Sequence, residues 1–328
     1  MMLAIEAHGL TKHFGPEIRA VEGIDLAVPE GQIFGFLGQN GSGKTTTVRM
    51  LTTLLRPTAG TARVAGVDVL ANPAEVRRRV GVALQEVGLD ELQTGRELLT
   101  LQARLFGQPA REARERAARL LEVVTLTEAA DRPIRGYSGG MKRRLDLACA
   151  LVHGPRVVFL DEPTTGLDPI TREAVWRYVE ELNREQGVTF FLTTQYLEEA
   201  DRLAHQVAIM DCGKVVAEGS PAELKASIGT DVLTVAFGDA GQAERAAGVL
   251  EGFEGVQRVL RTDEEVAVYL SNGAAAVAGV VRLLDAAGLP AASLTLKQPT
   301  LDDVFLRATG HHLDVVEPGT PRPAGGAA

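Results

Sequence analysis

Short apolar runs alternate with longer amphipathic stretches over the first two-thirds of the chain. Residues 32–37 (Gln-Ile-Phe-Gly-Phe-Leu) read as a buried strand, and residues 44–55 as a helix that stops before Pro57. Residues 80–84, 157–160 and 188–192 are further apolar runs of strand length. Residues 94–106 and 111–124 carry helical periodicity. Strands and helices in turn predict an α/β domain with a mainly parallel sheet. Residues 4–10 and 20–28 alternate like antiparallel strands, which predicts a small β subdomain over one end. The two amphipathic helices predict a helical subdomain.

The pattern changes after Gly229. Residues 231–237 alternate, 243–250 read as a helix, 256–261 and 265–270 as strands, 274–287 as a helix and 291–296 as a last strand. This β-α-β-β-α-β order predicts a small ferredoxin-like α+β module. Leu301-Asp302-Asp303-Val304-Phe305-Leu306 fits a short amphipathic helix, and the Pro/Gly/Ala-rich tail from residue 311 onward has too little apolar surface to order itself. The expected organisation is thus 1–229, 230–310 and 311–328.

Composition narrows the class. Of 328 residues, 45% are apolar and 23% charged, with a net charge of −9. An acidic chain is a poor nonspecific nucleic-acid coat, since that binding rests on clustered basic charge; no nucleic-acid partner is expected. No run approaches the ~20 apolar residues of a bilayer span, and the start lacks the basic region of a secretory signal. Cys149 and Cys212 form no CxxC pair, which argues for a reduced, cytoplasmic protein. The adjacent His311 and His312, set before the tail, read as solvent-exposed, and the Arg111–Glu115 stretch as a solvated helix face.

The sharpest chemical signal is Gly38-Gln39-Asn40-Gly41-Ser42-Gly43-Lys44-Thr45, followed by Thr46. It matches G-x-x-x-x-G-K-[ST] between a strand and a helix. Gly38, Gly41 and Gly43 let backbone N–H groups, Asn40's and Ser42's among them, converge on phosphate. The helix start adds its positive dipole end, Lys44 a point charge at the β- and γ-phosphates, and Thr45 a hydroxyl for Mg²⁺. ATP with Mg²⁺ is therefore the expected ligand. Asp161 and Glu162 end the 157–160 strand, on the edge where open α/β sheets bind ligands. Asp161 suits the Mg²⁺ shell and Glu162 the polarisation of an attacking water. Ser138 is a good N-cap for a helix running to about residue 152, and Gly139 and Gly140 leave its first N–H groups bare.

With these motifs, residues 5–228 resemble the nucleotide-binding subunits of ABC transporters. The likeness implies that Gln85 is a metal or water contact, that Asp168 in Gly166-Leu167-Asp168 belongs to a loop at the dimer seam, and that Phe14 stacks on adenine. It implies that two copies sandwich two ATP molecules, each Ser138-Gly139-Gly140 acting in trans on the other copy's P-loop. Two departures stand out: Tyr-Ser-Gly-Gly-Met for the usual Leu-Ser-Gly-Gly-Gln, and Gln195 where most relatives carry a histidine. An amide can donate to a γ-phosphate but cannot shuttle a proton, so turnover is expected to be slow, with Glu162 retained as the catalytic carboxylate. Residues 137–148, 193–201 and 298–306 are similar to the daunorubicin-resistance branch of that family. That implies an exporter ATPase at the cytoplasmic face of the membrane, working with a separate permease subunit on a drug, antibiotic or lipid-like cargo. The alternative is a non-transport ATP switch of the same superfamily, acting in repair or translation; the chain has neither the long coiled coils nor the tandem cassettes of those proteins.

Overall fold

The computed structural model describes residues 2–84, 88–228 and 231–310. These fall into two compact units, one reaching to Pro221 and the other Ala222–Gly310.

The first unit holds two sheets. β1 (Leu3–Phe14), β2 (Ile18–Pro29), β4 (Ala59–Val64) and β5 (Val67–Asp68) form an antiparallel sheet in the order β2-β1-β4-β5. The central sheet is built from β3 (Ile33–Leu37), β6 (Val80–Ala83), β7 (Val157–Asp161), β8 (Thr189–Thr194), β9 (Gln206–Asp211) and β10 (Lys214–Gly219). Its order is β10-β9-β3-β8-β7-β6, parallel throughout except for the β9–β10 hairpin. Helices α1 (Lys44–Leu51), α2 (Pro73–Arg79), α3 (Gly95–Leu105), α4 (Ala110–Val123), α5 (Gly139–Leu151), α6 (Pro169–Gln186) and α7 (Leu197–Leu203) connect these strands.

The continuous apolar runs follow from a sheet covered on both faces. Along β7 and β8, Val158, Leu160, Phe190 and Leu192 join the core formed with α3, α4, α5 and α6. Their neighbours Val157, Phe159 and Phe191 point the other way, into the core shared with the antiparallel sheet. There Phe191 is ringed by Phe34, Phe36 and Phe159 at centroid distances of 5.5, 5.3 and 5.5 Å. Each such pair adds about 0.5–1.5 kcal/mol beyond its area burial.

α1 ends at Leu51 rather than near residue 55. Thr53 takes a left-handed φ of 65°, and the N–H groups of Leu54 and Leu55 both turn back to the carbonyl of Arg49. The strands β1 and β2 run longer than their apolar cores, because cross-strand pairing carries the ladder to Phe14 and Ile18. α3 begins at a reciprocal capping box between Thr94 and Glu97, one residue inside the expected start. Strand pairs β4–β5 and β9–β10 and helices α2, α6 and α7 have no counterpart in the sequence reading.

The second unit comprises α8 (Pro221–Ile228, from Ala222 on), β11 (Asp231–Ala236), α9 (Ala240–Leu250), β12 (Val256–Thr262), β13 (Glu265–Leu270), α10 (Gly273–Ala286), β14 (Ser293–Lys297) and α11 (Leu301–Thr309). Its sheet order, β12-β13-β11-β14, is antiparallel throughout, which is the ferredoxin-like arrangement. Leu233, Val235, Val266, Val268 and Leu270 alternate onto one face, where α9 and α10 cover them with Ala243, Ala246, Leu250, Val280 and Leu284. α11 is amphipathic, capped by Thr300 and Asp303, with Leu301, Val304 and Phe305 buried. Its Arg307 donates to the carbonyls of Ser227 and Ile228 at 3.2 Å each, which ties it to the end of α8. His311, His312 and the tail lie outside the described residues.

Candidate nucleotide site

The loop between β3 and α1 turns on two left-handed glycines, Gly41 at φ 85° and Gly43 at φ 112°. A Cβ on Gly43 would run into the carbonyl of Ala20, and one on Gly38 into the carbonyl of Met210. The tight turn therefore needs glycine on steric grounds. Asn40 and Gly41 are exposed at the loop's tip, whereas Ser42, Gly43 and Lys44 are buried and Thr45 and Thr46 half-buried.

Lys44 is 4% exposed. Its ammonium donates to the carbonyls of Gly38 (2.7 Å) and Gln39 (3.0 Å) and lies 3.8 Å from Glu162 Oε1. Burial lowers its pKa, and the Glu162 and Asp161 carboxylates oppose that shift. The cation is thus held by the carbonyls of its own loop. Asp161 is fully buried at the C-terminal end of β7. Its Oδ1 accepts from Thr45 Oγ1 at 3.2 Å and from Thr193 Oγ1, while its Oδ2 is buried with no hydrogen-bond partner. A buried carboxylate oxygen beside a threonine hydroxyl is a set of hard donors suited to a divalent cation.

Glu162 takes a left-handed φ of 49°, a conformation that costs a non-glycine residue about 1 kcal/mol or more. Its N–H donates to the backbone carbonyl (3.0 Å) and hydroxyl (3.1 Å) of Thr193, and its Oε2 accepts from Thr165 Oγ1 at 3.3 Å. The turn aims the carboxylate at Lys44. Gln195 follows β8, is 5% exposed, and its Oε1 accepts from Asn40 Nδ2 at 3.4 Å. The Gln195 amide is therefore linked to the glycine-rich loop itself. β3, β8 and β7 are adjacent parallel strands, so the P-loop, Gln195 and the acid pair emerge at one sheet edge.

Phe14, Ser138 and Asp168 make contacts of their own. Phe14 is 43% exposed at the end of β1, with Lys12 Nζ 5.1 Å from its ring centroid, which excludes a core role. Ser138 caps α5 by accepting from Met141 N at 3.3 Å, with Gly139 and Gly140 in the first turn. A Cβ on Gly140 would come within 3.1 Å of Thr171. Asp168 caps α6 through the N–H and hydroxyl of Thr171 at 3.0 and 2.6 Å. These hydrogen bonds hold its carboxyl below the usual carboxylate range. Gln85 lies outside the described residues.

The tyrosine before the signature serine has a packing reason. Tyr137 is buried against the helical subdomain and its hydroxyl donates to the carbonyl of Ala129 at 2.7 Å. Met141 packs on the same core. Cys149 is buried in the same core, and burial pushes its thiol up.

Two buried charges escaped the sequence reading. Glu199 is fully buried and accepts from Thr164 Oγ1 (2.9 Å) and Trp176 Nε1 (2.8 Å). It ties the loop after Glu162 to α7, the helix after Gln195, and burial raises its pKa against those hydrogen bonds. Arg143, second of the three basic residues after the signature, is 7% exposed, pointing inward rather than covering surface.

Known proteins resolve the family. Residues 21–165 match the ABC transporter family and residues 219–309 the family described as ATP-binding protein DrrA1-3-like, C-terminal domain. The chain is 46% identical to the daunorubicin/doxorubicin resistance ATP-binding protein DrrA of Streptomyces peucetius over 316 residues, 95% of this chain and 94% of that one. It is 39% identical to the Nod factor export ATP-binding protein I of Ralstonia nicotianae over 310 residues, 94% of each. Among solved structures, a dimeric post-hydrolysis ATP-binding cassette bound to ADP and Pi superposes with a TM-score of 0.62 at 26% identity, covering 66% of this chain and 98% of that one. Among the described residues no helix is long and apolar enough to cross a membrane. By a P-loop cassette fold in its first unit and a matching second unit, the chain belongs to the ATP-binding subunits of ABC transporters, in their daunorubicin-resistance branch.

Proposed function

We propose that this chain hydrolyses Mg-ATP at a site shared by two copies and so drives export of a drug, antibiotic or lipid-like molecule through a separate membrane subunit. One observation carries the reading: the buried Lys44–Glu162–Asp161 constellation, assembled from the ends of β3 and β7. Lys44, with the N–H groups of residues 41–46, binds the phosphates, and Ser42 and Asn40 complete the cradle. Thr45 and Asp161 fit Mg²⁺ through the orphaned Oδ2, with Gln85 as a further contact; the ion, when bound, neutralises charge on the β- and γ-phosphates. Glu162 accepts a proton from the attacking water, and the amide of Gln195 donates to the γ-phosphate. Phe14, exposed on its strand end, stacks on the adenine ring.

Ser138, Gly139 and Gly140 present a second helix start, whose bare N–H groups suit phosphate in trans. ATP then satisfies donors from both copies at once, and its hydrolysis releases them. Asp168, exposed at the start of α6, sits at that seam. The membrane partner docks at the apolar groove of about 470 Å³ beside Leu84, which precedes Gln85; it is walled by Leu54, Leu105 and Phe106, with the cores of β6 and α5 behind. Such docking places the chain on the cytoplasmic face of the membrane. The second unit, with its all-apolar core, stabilises or regulates the dimer.

The test is a nucleotide-trapped dimer. Glu162→Gln with Mg-ATP is expected to elute as a dimer on a sizing column and wild type with ADP as a monomer. A monomeric Glu162→Gln in saturating ATP, with nucleotide bound, would sink the shared site.

A further inference from the structure

Arg143 connects parts of the first unit that are far apart in sequence. Every N–H of its guanidinium has an acceptor. Nε donates to the carbonyl of Pro163 at 3.0 Å, and Nη2 to the carbonyls of Asp161 (2.7 Å) and Glu162 (3.1 Å). Nη1 donates to the carbonyl of Leu84 and to Asp146 Oδ2 at 3.4 Å. Three consecutive carbonyls, those of residues 161, 162 and 163, therefore converge on one side chain of the signature helix. They belong to the turn in which Glu162 holds its left-handed φ of 49°. Such a conformation persists only where its surroundings over-determine it, and the planar guanidinium fork supplies that restraint. Lysine, with a single ammonium, cannot span the same acceptors.

The other end of the fork meets two residues that line the groove, Leu84 and Asp146. Asp146 lines it, one helical turn along α5 from Arg143, with its side chain 14% exposed. The rest of that wall is mostly apolar: Leu54, Val82, Leu105 and Phe106, with Arg77 the other charge and His153 stacked on Phe106 at 3.9 Å. A carboxylate set in an apolar wall suits an apolar segment that carries one cationic side chain.

We propose that Arg143 is a positioning residue that sets the Asp161–Glu162 turn, and that Asp146 couples this setting to a segment of the membrane-spanning subunit seated in the groove, apolar with one Lys or Arg. The groove half rests on the transport reading above; the Arg143 half does not. An occupant that draws on Asp146 changes the pull on Nη1. That guanidinium also fixes Leu84, the residue before Gln85, and through Nη2 the carbonyls of the catalytic turn. Docking and hydrolysis thereby share one rigid group, with no movement of the P-loop required.

The experiment uses the full chain, first alone. In Arg143→Gln, kcat for ATP is expected to fall at least tenfold while the dissociation constant for ATP stays within threefold of wild type. Arg143→Lys is expected to fall between the two. An unchanged kcat, or equal losses of kcat and nucleotide affinity in both variants, would reduce Arg143 to a scaffold residue; so would failure of both variants to fold, read by thermal melting. The second arm co-expresses the chain with its membrane-spanning subunit in vesicles. Asp146→Asn is expected to co-purify with that subunit but to lose at least fivefold of the partner-stimulated ATP turnover. Full stimulation in this variant would overturn the groove half. A wild-type chain whose turnover does not respond to the membrane subunit would overturn the transport reading and the groove half together, and leave the Arg143 arm to be judged on the isolated chain.

Discussion

The two units of the chain bury different things. In the first, Lys44, Arg143, Asp161, Glu162 and Glu199 all lie in the interior, with Ser42, Thr164, Thr193, Thr194 and Gln195 around them. In the second, among the described residues, the fully buried side chains are apolar. Buried charge costs several kcal/mol per ion unless it is paired and hydrogen-bonded. The first unit meets that cost with a dense net of partners clustered at one sheet edge, and a left-handed Glu162 within it. The second has no such expense and no such edge. A sheet and two helices closed over Leu233, Val235, Val268 and Leu250 make a packing module, whereas the cassette is a chemical one.

Substitutions can break or sharpen this contrast. The largest effect is expected from Glu162→Gln: hydrolysis should fall roughly 10²–10⁴-fold, the range of a lost general base, with ATP binding retained in equilibrium dialysis. Next, Lys44→Ala should weaken ATP binding by about 2–3 kcal/mol, on the order of 30- to 200-fold. Calorimetric titration showing wild-type affinity would remove the P-loop from the account. In the second unit, Leu250→Ala should cost about 2–5 kcal/mol of that unit's stability and leave ATP affinity unchanged; loss of nucleotide binding would show that the contrast is false.

Asp146 gives a pH signature confined to the first unit. Burial raises its pKa to about 6, against the opposing pull of Arg143. The folded pKa is above the unfolded one, so the folded state holds the proton more tightly and stability declines as pH climbs from about 4 to about 6. Arg77, Cys149 and His153 are the other charged or titratable groups lining the same wall, and Arg143 reaches Asp146 from within α5. Asp146→Asn should therefore stabilise the first unit by about 1–3 kcal/mol at pH 8 and by nearly nothing at pH 4, read from melting curves. A gain at high pH, paired with loss of partner response, would mark Asp146 as retained for function. The smallest effect is expected from Gln195→His: turnover unchanged or raised a few-fold, with a new inflection near pH 6.5 from the imidazole. A collapse in rate would show that the Asn40–Gln195 contact has a geometry of its own.

Much of the site was legible because its motifs are local. The glycines of the P-loop, the N-cap serine of α5 and the acid pair at a strand end each follow from backbone rules spanning a few residues. The β-α-β-β-α-β order was legible for the same reason, since alternation switches period at each boundary. Boundaries set by side chains meeting from elsewhere were less so: α1 stops early at Thr53, and β1 runs on to Phe14 only because β2 pairs with it. Lys142, Arg143 and Arg144 are three consecutive basic residues on one helix, and nothing in the local sequence tells the middle one from its neighbours. Lys142 pairs with Glu91 at the surface and Arg144 reaches the carbonyl of Val124 and the hydroxyl of Thr125. Only the inward one meets the turn at residues 161–163.

The amino-acid order alone determined that phosphate would be gripped at a glycine-lined helix start and that two acids would end a buried strand, because turn dihedrals, capping and hydrophobic period are short-range. Folding in three dimensions decided which strands adjoin, and so that Lys44, Asp161 and Gln195 share one edge. It also decided that a guanidinium 59 residues from Leu84 would clamp the turn around Glu162. Those outcomes depend on backbone carbonyls, which every residue type carries alike, and on strand order, which no local pattern encodes.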